Sequence, residues 1–272
     1  MHSQLCDNNN ASLFDDEINH QLNSASKHCL ADLSGSSLMD RVDSKFLLPT
    51  EQLLQVLNSC INYYSVLEIE DKSIFHYRNI YFDNNELKFY NQHHNRKLNR
   101  NKVRHRNYSD SDISYLEVKF KNNKGRTIKT RMSADNDPSI ALDSGYAFLK
   151  QQGIAAPEHL RPSQLCTYNR ISLANNQLSE RITLDLNLSF TNQMGSKPKA
   201  TEHNKALKLS NYIIAELKQD KLNRHSPFFQ LMRELAIRPQ GFSKYCMGVS
   251  LSNKQVKSNR FKSNILKLHK GV

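Results

Sequence analysis

The cysteines of this chain are few and never paired in sequence. The five, Cys6, Cys29, Cys60, Cys166 and Cys246, stand singly, and none forms a Cys-x-x-Cys motif. That spacing argues against a zinc ribbon and offers no disulfide framework, so a reducing cytoplasm is the expected compartment.

Signals for export, membrane insertion and the common nucleotide loops are also missing. The first 20 residues have neither a basic n-region nor an apolar h-region, and no run approaches the roughly 20 apolar residues that span a bilayer. No Walker A loop, Gly-x-Gly-x-x-Gly or Gly-x-Ser-x-Gly motif occurs. His93 and His94 are adjacent but lack partners at metal-ligand spacing. We therefore expect a cytoplasmic protein with no membrane span.

Positive charge, in contrast, is abundant. The 272 residues carry 38 Lys and Arg against 26 Asp and Glu, a formal net charge of +12, and only 38% are hydrophobic. This length fits one large domain or two small ones. The low hydrophobic fraction indicates that polar groups occupy part of the volume where an apolar core is expected. The charge favours an anionic partner, which could be nucleic acid, a phosphate ester, polyphosphate or a membrane surface.

Several segments alternate polar and apolar residues. From 181 to 190 every odd position is polar and every even position is apolar, which predicts one β-strand with two different faces. Eleven cations and four carboxylates fall on such polar faces: Arg41, Asp43, Lys45, Lys102, Arg104, Arg106, Glu117, Lys119, Lys129, Arg131, Arg170, Arg181, Asp185, Glu216 and Lys218.

Two interpretations of these faces compete. One is a twisted antiparallel sheet whose outer face is in water, although a solvent face usually mixes both charge signs with Thr, Ser and Gln. The other is a closed sheet that holds an anion in its interior, because neighbouring arginines repel unless an anion lies between them. Arg offers phosphoryl oxygens a planar fork and Lys a compact charge, so the second interpretation indicates a chain of phosphates.

The four carboxylates suggest a hard cation, Mg²⁺ or Mn²⁺, because such ions prefer oxygen ligands and bridge phosphates. Glu216 is the strongest metal candidate, since it lies in mid-strand beside Lys218. Asp185, Glu117 and Asp43 are weaker candidates. For Glu117 and Asp43, pairing with a neighbouring arginine is an equally good interpretation.

Turn signals divide the chain into strands and a few helices. Ser226 and Pro227 predict the start of a helix, and Asn122-Asn123-Lys124-Gly125 predicts a hairpin turn. The polar tract 92–100 is predicted as a loop. Strands are predicted over 40–46, 74–82, 102–108, 115–121, 126–132, 165–173, 180–190 and 212–218, and further helices over 51–58 and from 138 to about 152.

A collinear series of short motifs runs from about residue 37 to 250. Its members are Arg41-x-Asp43-x-Lys45-Phe46, Tyr81-Phe82-Asp83-Asn84, Phe89-Tyr90-x-x-His93, Lys102-Val103-Arg104-x-Arg106-x-Tyr108, Leu116-Glu117-Val118-Lys119, Lys129-x-Arg131, Tyr168-Asn169-Arg170, Arg181-x-x-x-Asp185, Ala215-Glu216-Leu217-Lys218 and Phe242-Ser243-Lys244-Tyr245. The series resembles the VTC domain, the catalytic domain of the vacuolar transporter chaperone polyphosphate polymerases, within the triphosphate tunnel metalloenzymes.

The resemblance implies a fold and a domain layout. The fold would be α+β and mostly antiparallel, a closed eight-stranded, tunnel-like barrel with flanking helices. Residues 37–252 would form this domain, after an N-terminal extension over 1–36 and before a basic C-terminal tail over 253–272.

The resemblance also implies site residues. Lys45, Arg104, Arg106, Lys119, Lys129, Arg170, Arg181 and Lys244 would line the tunnel and bind phosphates, with Arg131 and Lys218 on the same faces, and Glu216 would hold Mn²⁺ or Mg²⁺. Two departures from the family pattern stand out. Arg41-x-Asp43-x-Lys45 replaces the double-Glu signature of the wider superfamily, and Gly241 replaces a lysine common in eukaryotic members.

The implied activity is transfer of the γ-phosphate of ATP to a growing polyphosphate chain. The expected ligands are ATP, triphosphate or polyphosphate rather than nucleic acid. Two alternatives stay open at this point. Water could be the acceptor, which would make the protein a triphosphatase, or the chain could be a non-catalytic module that binds polyphosphate or RNA.

Overall fold

The computed structural model describes residues 14–33, 41–194 and 206–270, in which eleven strands and eight α-helices lie. The strands are β1 (Lys27–His28), β2 (Val42–Pro49), β3 (Ser65–Leu67), β4 (Ile74–Asp83), β5 (Arg100–Tyr108), β6 (Ile113–Lys121), β7 (Thr127–Ser133), β8 (Arg161–Asn175), β9 (Glu180–Asn192), β10 (Leu207–Leu209) and β11 (Tyr212–Gln219). The helices are α1 (14–24), α2 (Leu53–Cys60), α3 (Lys88–His94), α4 (Pro138–Ser144), α5 (Tyr146–Gln151), α6 (Pro227–Glu234), α7 (Lys244–Ser252) and α8 (Lys262–Lys270).

The α+β, mostly antiparallel fold class is confirmed. Eight strands follow each other in the hydrogen-bonded order β2, β11, β9, β8, β4, β5, β6, β7, and only the short β1–β3 pair is known to run parallel among the described strands. This order has two ends, β2 and β7, which exchange no backbone hydrogen bonds in the ranges described. The expected barrel is therefore not closed by hydrogen bonds.

The chain divides into two compact units. Unit 1 comprises Met1–Ile74, Arg170–Leu186 and Asn211–Gly241, as far as these are described. Unit 2 comprises Phe75–Asn169, Asn187–Ser210 and Phe242–Val272, with the same restriction. Strands β8 and β9 contribute residues to both.

Unit 1 has an apolar core between its strands and the helices α1, α2 and α6. Leu53, Val56 and Leu57 on α2 are buried because their spacing places them on one helix face. Phe46 on β2 makes edge-to-face contacts with Phe228 and Phe229 of α6 at ring distances of 5.8 and 5.6 Å. The predicted capping of α6 is confirmed, since the Ser226 side chain accepts a hydrogen bond from a backbone N–H of the first turn.

The segment 14–33 is part of this core. Ile18 and Leu22 of α1 are buried in it, and β1 pairs with β3. Helix α1 ends at residue 24, and β1 follows at Lys27. The predicted domain boundary at 36 and 37 lies outside the described residues, so the domain layout stays a prediction.

Unit 2 is organised around β4, β5, β6 and β7. Gly125 allows the predicted turn between β6 and β7, because its φ of +78° belongs to the left-handed region that favours glycine. Helix α3 covers 88–94, where a loop was expected to begin at 92. No helix in the described parts of the chain is long and apolar enough to cross a bilayer.

Asp83 joins three elements of unit 2. One carboxylate oxygen accepts hydrogen bonds from the backbone N–H groups of Asn84 and Phe89, and the other from the backbone N–H of Tyr90 and the Tyr245 hydroxyl. Burial raises the pKa of Asp83, and these hydrogen bonds oppose that rise. The side chain thereby fixes the start of α3 and the first turn of α7 to the end of β4.

Candidate functional site

The polar face of unit 2 is built from four rows of residues that are in register across β5, β6 and β7. The rows are Arg100–Lys121–Thr127, Lys102–Lys119–Lys129, Arg104–Glu117–Arg131 and Arg106–Tyr115–Ser133. They hold two, three, two and one cations, and Glu117 is the only carboxylate among them. Like charges directly opposite each other destabilise a sheet, so the all-lysine row is a stability cost that a bound anion would remove.

Glu117 is the counter-ion at the centre of this face. Its Oε2 lies 2.5 Å from Nη2 of Arg104, and its Oε1 lies 2.7 Å from Nζ of Lys129. Burial would raise the pKa of Glu117, but Arg104, Arg106 and Lys129 outweigh it and keep the pKa well below its usual range. Glu117 therefore pairs with cations, one of the two roles expected for it.

The Arg106 guanidinium is fixed by hydrogen bonds and by aromatic rings. Its Nε donates to Oδ1 of Asn79 at 2.9 Å and its Nη2 donates to the Tyr168 hydroxyl at 3.2 Å. The guanidinium also lies over the rings of Tyr77 and Tyr108, 5.2 and 5.8 Å from their centroids. These contacts fix one planar orientation of the fork.

The first turn of α7 lies on the same face of unit 2. Nζ of Lys102 donates to Oγ of Ser243 at 2.9 Å, and Nζ of Lys244 lies 4.5 Å from the centroid of the Tyr168 ring. Burial lowers the pKa of Lys102, and nearby cations add to this lowering. Arg131, in contrast, is exposed on β7, where it stacks over Tyr115 at 4.4 Å.

The polar face of unit 1 has a different balance of charge. In register, Lys45 of β2 is opposite Glu216 of β11, and Asp43 is opposite Lys218. Glu216 pairs with both lysines: one oxygen contacts Nζ of Lys45 and the other lies 2.9 Å from Nζ of Lys218. Burial and the neighbouring Arg170 lower the pKa of Lys218 to about 7.

Two more predicted residues of unit 1 are already bound to protein groups. Arg170 forms a fork with Asp185, from Nε to Oδ1 at 2.6 Å and from Nη2 to Oδ2 at 2.9 Å. Arg181 is opposite Lys218 in register, and its Nη2 donates to the carbonyl oxygen of Leu33 at 2.8 Å. Arg41 pairs with Asp43 at 2.9 Å, the arginine partner that the sequence allowed for this carboxylate.

A metal site in unit 1 would rest on one carboxylate. In the described ranges, no three His, Cys, Asp or Glu side chains lie close enough together to hold a metal ion. Mg²⁺ is nevertheless often bound by one or two carboxylates, with water and substrate phosphates as its other ligands. Glu216 fits such an ion if phosphates complete the coordination.

The structure thus sorts the predicted residues into two sets. Arg104, Arg106, Lys119, Lys129, Arg131 and Lys244 belong to unit 2, and Lys45, Arg170, Arg181, Glu216 and Lys218 belong to unit 1. That all of them border one enclosed channel stays a prediction. Sequence reasoning left Arg100 and Lys121 out of the set, although they have the same strand parity as Lys102 and Lys119.

Comparisons with known proteins bear on both sets. A family model of the VTC domain matches residues 40–253. Comparison with curated protein sequences finds no match. An adenylyl cyclase candidate from Hippeastrum, described as having a dominant triphosphatase activity, has a TM-score of 0.50 at 13% identity, with 77% of this chain and 95% of that chain covered. An adenylate cyclase candidate from Bacillus halodurans has a TM-score of 0.48 at 14% identity, with 75% and 96% covered. At these identities the likeness to the Hippeastrum protein concerns the fold alone.

Proposed function

The chain belongs to the VTC domain family, and from this membership we propose that it is a metal-dependent polyphosphate polymerase, which transfers the γ-phosphate of ATP to a growing polyphosphate chain. The observation that carries the proposal is the face of unit 2, where eight cations share one carboxylate. A water-exposed sheet face would carry charges of both signs, whereas a site that binds a polyanion needs an excess of positive charge.

The proposed phosphate ligands differ in chemistry. Arg104 and Arg106 present guanidinium groups that their partners hold in place, which suits bidentate contact with phosphoryl oxygens. The lysine ammonium groups contribute positive charge without a fixed bonding direction. This lets a phosphate chain slide past them. The full set proposed for phosphates and ATP is Lys45, Arg104, Arg106, Lys119, Lys129, Arg131, Arg170, Arg181, Lys218 and Lys244.

The VTC domain lies within the triphosphate tunnel metalloenzymes, which use divalent metals. We assign Glu216 as the protein ligand of Mn²⁺ or Mg²⁺. A divalent cation held by Glu216 would supply positive charge that offsets the negative charge developing on the phosphoryl oxygens. Lys45 and Lys218, both in contact with Glu216, would be repelled by such a cation, and this repulsion favours their binding to phosphate oxygens.

The proposed reaction needs no covalent intermediate between the protein and a phosphoryl group. A terminal phosphate oxygen of the growing chain would attack the γ-phosphorus of ATP while the bond to the β–γ bridging oxygen breaks and ADP leaves, so no side chain needs to act as a nucleophile. The residues named above bind donor and acceptor in line and offset the repulsion between two polyanions, the main contributions that proteins make to phosphoryl transfer.

The decisive experiment incubates the purified full chain with ATP and Mn²⁺ or Mg²⁺ and separates the products by length. We expect long polyphosphate chains. Release of free phosphate alone would replace this proposal by a triphosphatase, and binding without turnover would replace it by a non-catalytic module. Lys129→Gln should reduce the product, while Lys150→Gln, which removes an exposed lysine of α5, should not.

Competition between ligands separates this proposal from an RNA-binding surface. Inorganic triphosphate should displace labelled polyphosphate at fixed ionic strength, because closely spaced cations recognise phosphates directly. An RNA groove needs several nucleotides and base stacking, and its affinity falls steeply with salt. Tight RNA binding that triphosphate does not displace would contradict the proposal.

A further inference from the structure

The row Arg100–Lys121 adds to the positive charge of this face, but neither residue is among those proposed above as ligands of phosphates and ATP. It precedes the all-lysine row by two residues on β5, which corresponds to about 7 Å along the strand. Both side chains are half-buried and lie on the same face as the proposed phosphate ligands. The charged face of unit 2 therefore continues beyond the residues assigned to phosphate transfer.

Helix α3 orients Arg100. Nε of Arg100 donates to Nδ1 of His93 at 3.2 Å, and Nη1 donates to the carbonyl oxygen of Lys97 at 2.8 Å. His93 accepts this bond as a neutral ring, because burial and the neighbouring cations lower its pKa to about 2. The Arg100 guanidinium is thus fixed by neutral groups and keeps its full charge for a ligand.

The C-terminal segment adds another cation. The Tyr90 hydroxyl donates to the carbonyl oxygen of Lys257 at 2.7 Å, and Nε2 of His94 lies 2.6 Å from Oδ1 of Asn259. These contacts dock the segment on α3, the helix whose His93 orients Arg100, and Arg260 directly follows the docked Asn259. Slight desolvation of this largely exposed side chain, together with the neighbouring Arg96 and Arg100, lowers the pKa of Arg260. The docked segment lies beyond residue 253, where the family match ends.

These cations lack a carboxylate partner among the residues that the structure describes. Within the described ranges, Arg96, Arg100, Lys121 and Arg260 form no ion pair. Arg96 and Arg260 are exposed to solvent. Four cations held together in this way repel each other and attract an extended anion.

We propose that Arg96, Arg100, Lys121 and Arg260 form an outer subsite that binds a polyphosphate chain beyond its terminal triphosphate. This subsite rests on the proposed function, because it extends the same charged face. A triphosphate held at the rows of Lys102 and Arg104 leaves the outer subsite empty. A long chain occupies both, so chain length becomes the property that the outer subsite recognises.

The test is a double variant, Lys121→Gln with Arg260→Gln, titrated as the full chain with long polyphosphate and with inorganic triphosphate. We expect about a tenfold loss of affinity for long polyphosphate, because exposed ionic contacts are individually weak but add along a polyanion. Affinity for triphosphate and the melting temperature should not change. The matched control is Arg78→Gln with Lys150→Gln, which removes the same charge, with Arg78 on the opposite face of the sheet.

The outcomes separate the two proposals. Equal weakening of both ligands would overturn the outer subsite, since the residues would then serve the triphosphate. An unchanged affinity for long polyphosphate, or an equal loss in the control, would also overturn it while leaving the proposed function intact. A wild-type chain that binds neither ligand would overturn the proposed function, and the subsite with it.

Discussion

Glu117 holds Arg104 through a single carboxylate oxygen, with Oε2 2.7 Å from Nε and 2.5 Å from Nη2 of the guanidinium. The second oxygen of Glu117 pairs with Lys129. Since the Glu117 side chain is only 2% exposed, this carboxylate is well placed to orient two proposed phosphate ligands rather than to hold a metal. The face depends on one negative charge for its stability in the absence of an anion.

Glu117→Gln should destabilise the protein and make its stability depend on added phosphate. Removing one partner of a fully buried ion pair costs about 3–5 kcal/mol, and the cost here should be about 2–4 kcal/mol, because part of the charge is screened by water. Inorganic triphosphate should restore much of the loss, since it supplies the missing negative charge. Thermal unfolding with and without triphosphate measures both effects.

The control for this variant is Glu158→Gln, which changes an exposed carboxylate of the same unit. Its free energy of unfolding should change by no more than about 0.5 kcal/mol, and triphosphate should stabilise it as it does the wild type. A Glu117→Gln protein as stable as the wild type would show that Arg104, Arg106 and Lys129 need no counter-ion.

Glu216→Gln tests the proposed metal ligand. Metal-dependent turnover should fall by about 100-fold or more, because loss of a ligand exceeds the effect of losing a supporting contact. Triphosphate affinity without metal should hold or rise, because Lys45 and Lys218 lose their shared carboxylate. Initial rates across a range of Mn²⁺ concentrations, with metal-free titrations, measure both.

Glu234→Gln provides the comparison, since it removes an exposed carboxylate from α6 of the same unit. This variant should retain the wild-type metal dependence. Near-normal Mn²⁺-dependent rates in Glu216→Gln would remove Glu216 from the metal site.

The lowered pKa of Lys218 predicts that triphosphate binding depends on pH. Its pKa is about 7 in the free protein, because it is buried beside Arg170. A bound phosphate favours the charged ammonium and raises this pKa, so binding takes up a proton between the free and bound values. Affinity for triphosphate should be full below about pH 7 and fall as the pH rises above it, by up to tenfold per pH unit. Calorimetry in buffers of different ionisation enthalpy counts the protons.

Lys218→Arg is the matched variant for this pH dependence. Arginine stays protonated throughout this range, so proton uptake should shrink and the affinity should depend less on pH. Lys129, whose pKa burial lowers to about 8, should supply the dependence that is left at higher pH. An unchanged proton uptake in Lys218→Arg would assign the titration to another group.

The residues of the charged face could largely be predicted from strand parity. Period-2 alternation identified β5, β6, β7, β9 and β11 and the residues on their polar faces. It could not show which residues share a row, because register is set by turns and pairing across strands. The choice between metal ligand and arginine partner for Glu117 and Asp43 was therefore open until the register placed them.

The extent of helix α3 and the burial of segment 14–33 could not be predicted from the local sequence pattern. Helix α3 begins after Leu87, which has a φ of +54°, and its first N–H groups bond to Asp83. The same carboxylate also accepts a hydrogen bond from Tyr245, more than 160 residues away in sequence, so the junction joins parts of the chain that a local pattern cannot relate. Likewise, the burial of Leu22 depends on a core assembled from distant strands, which a polar local sequence does not reveal.

Asp83→Asn should loosen this junction. The carboxylate accepts four hydrogen bonds, whereas an asparagine side chain turns one acceptor into a donor that faces N–H or O–H groups. We expect a loss of about 2–4 kcal/mol in the free energy of unfolding, from unpaired buried groups. Because Tyr245 follows Lys244, triphosphate affinity should fall as well. Asp112→Asn, at an exposed turn with a φ of +53°, should change neither quantity. Chemical denaturation and triphosphate titration of both variants decide the matter, and an Asp83→Asn protein of wild-type stability would contradict the role assigned to this carboxylate.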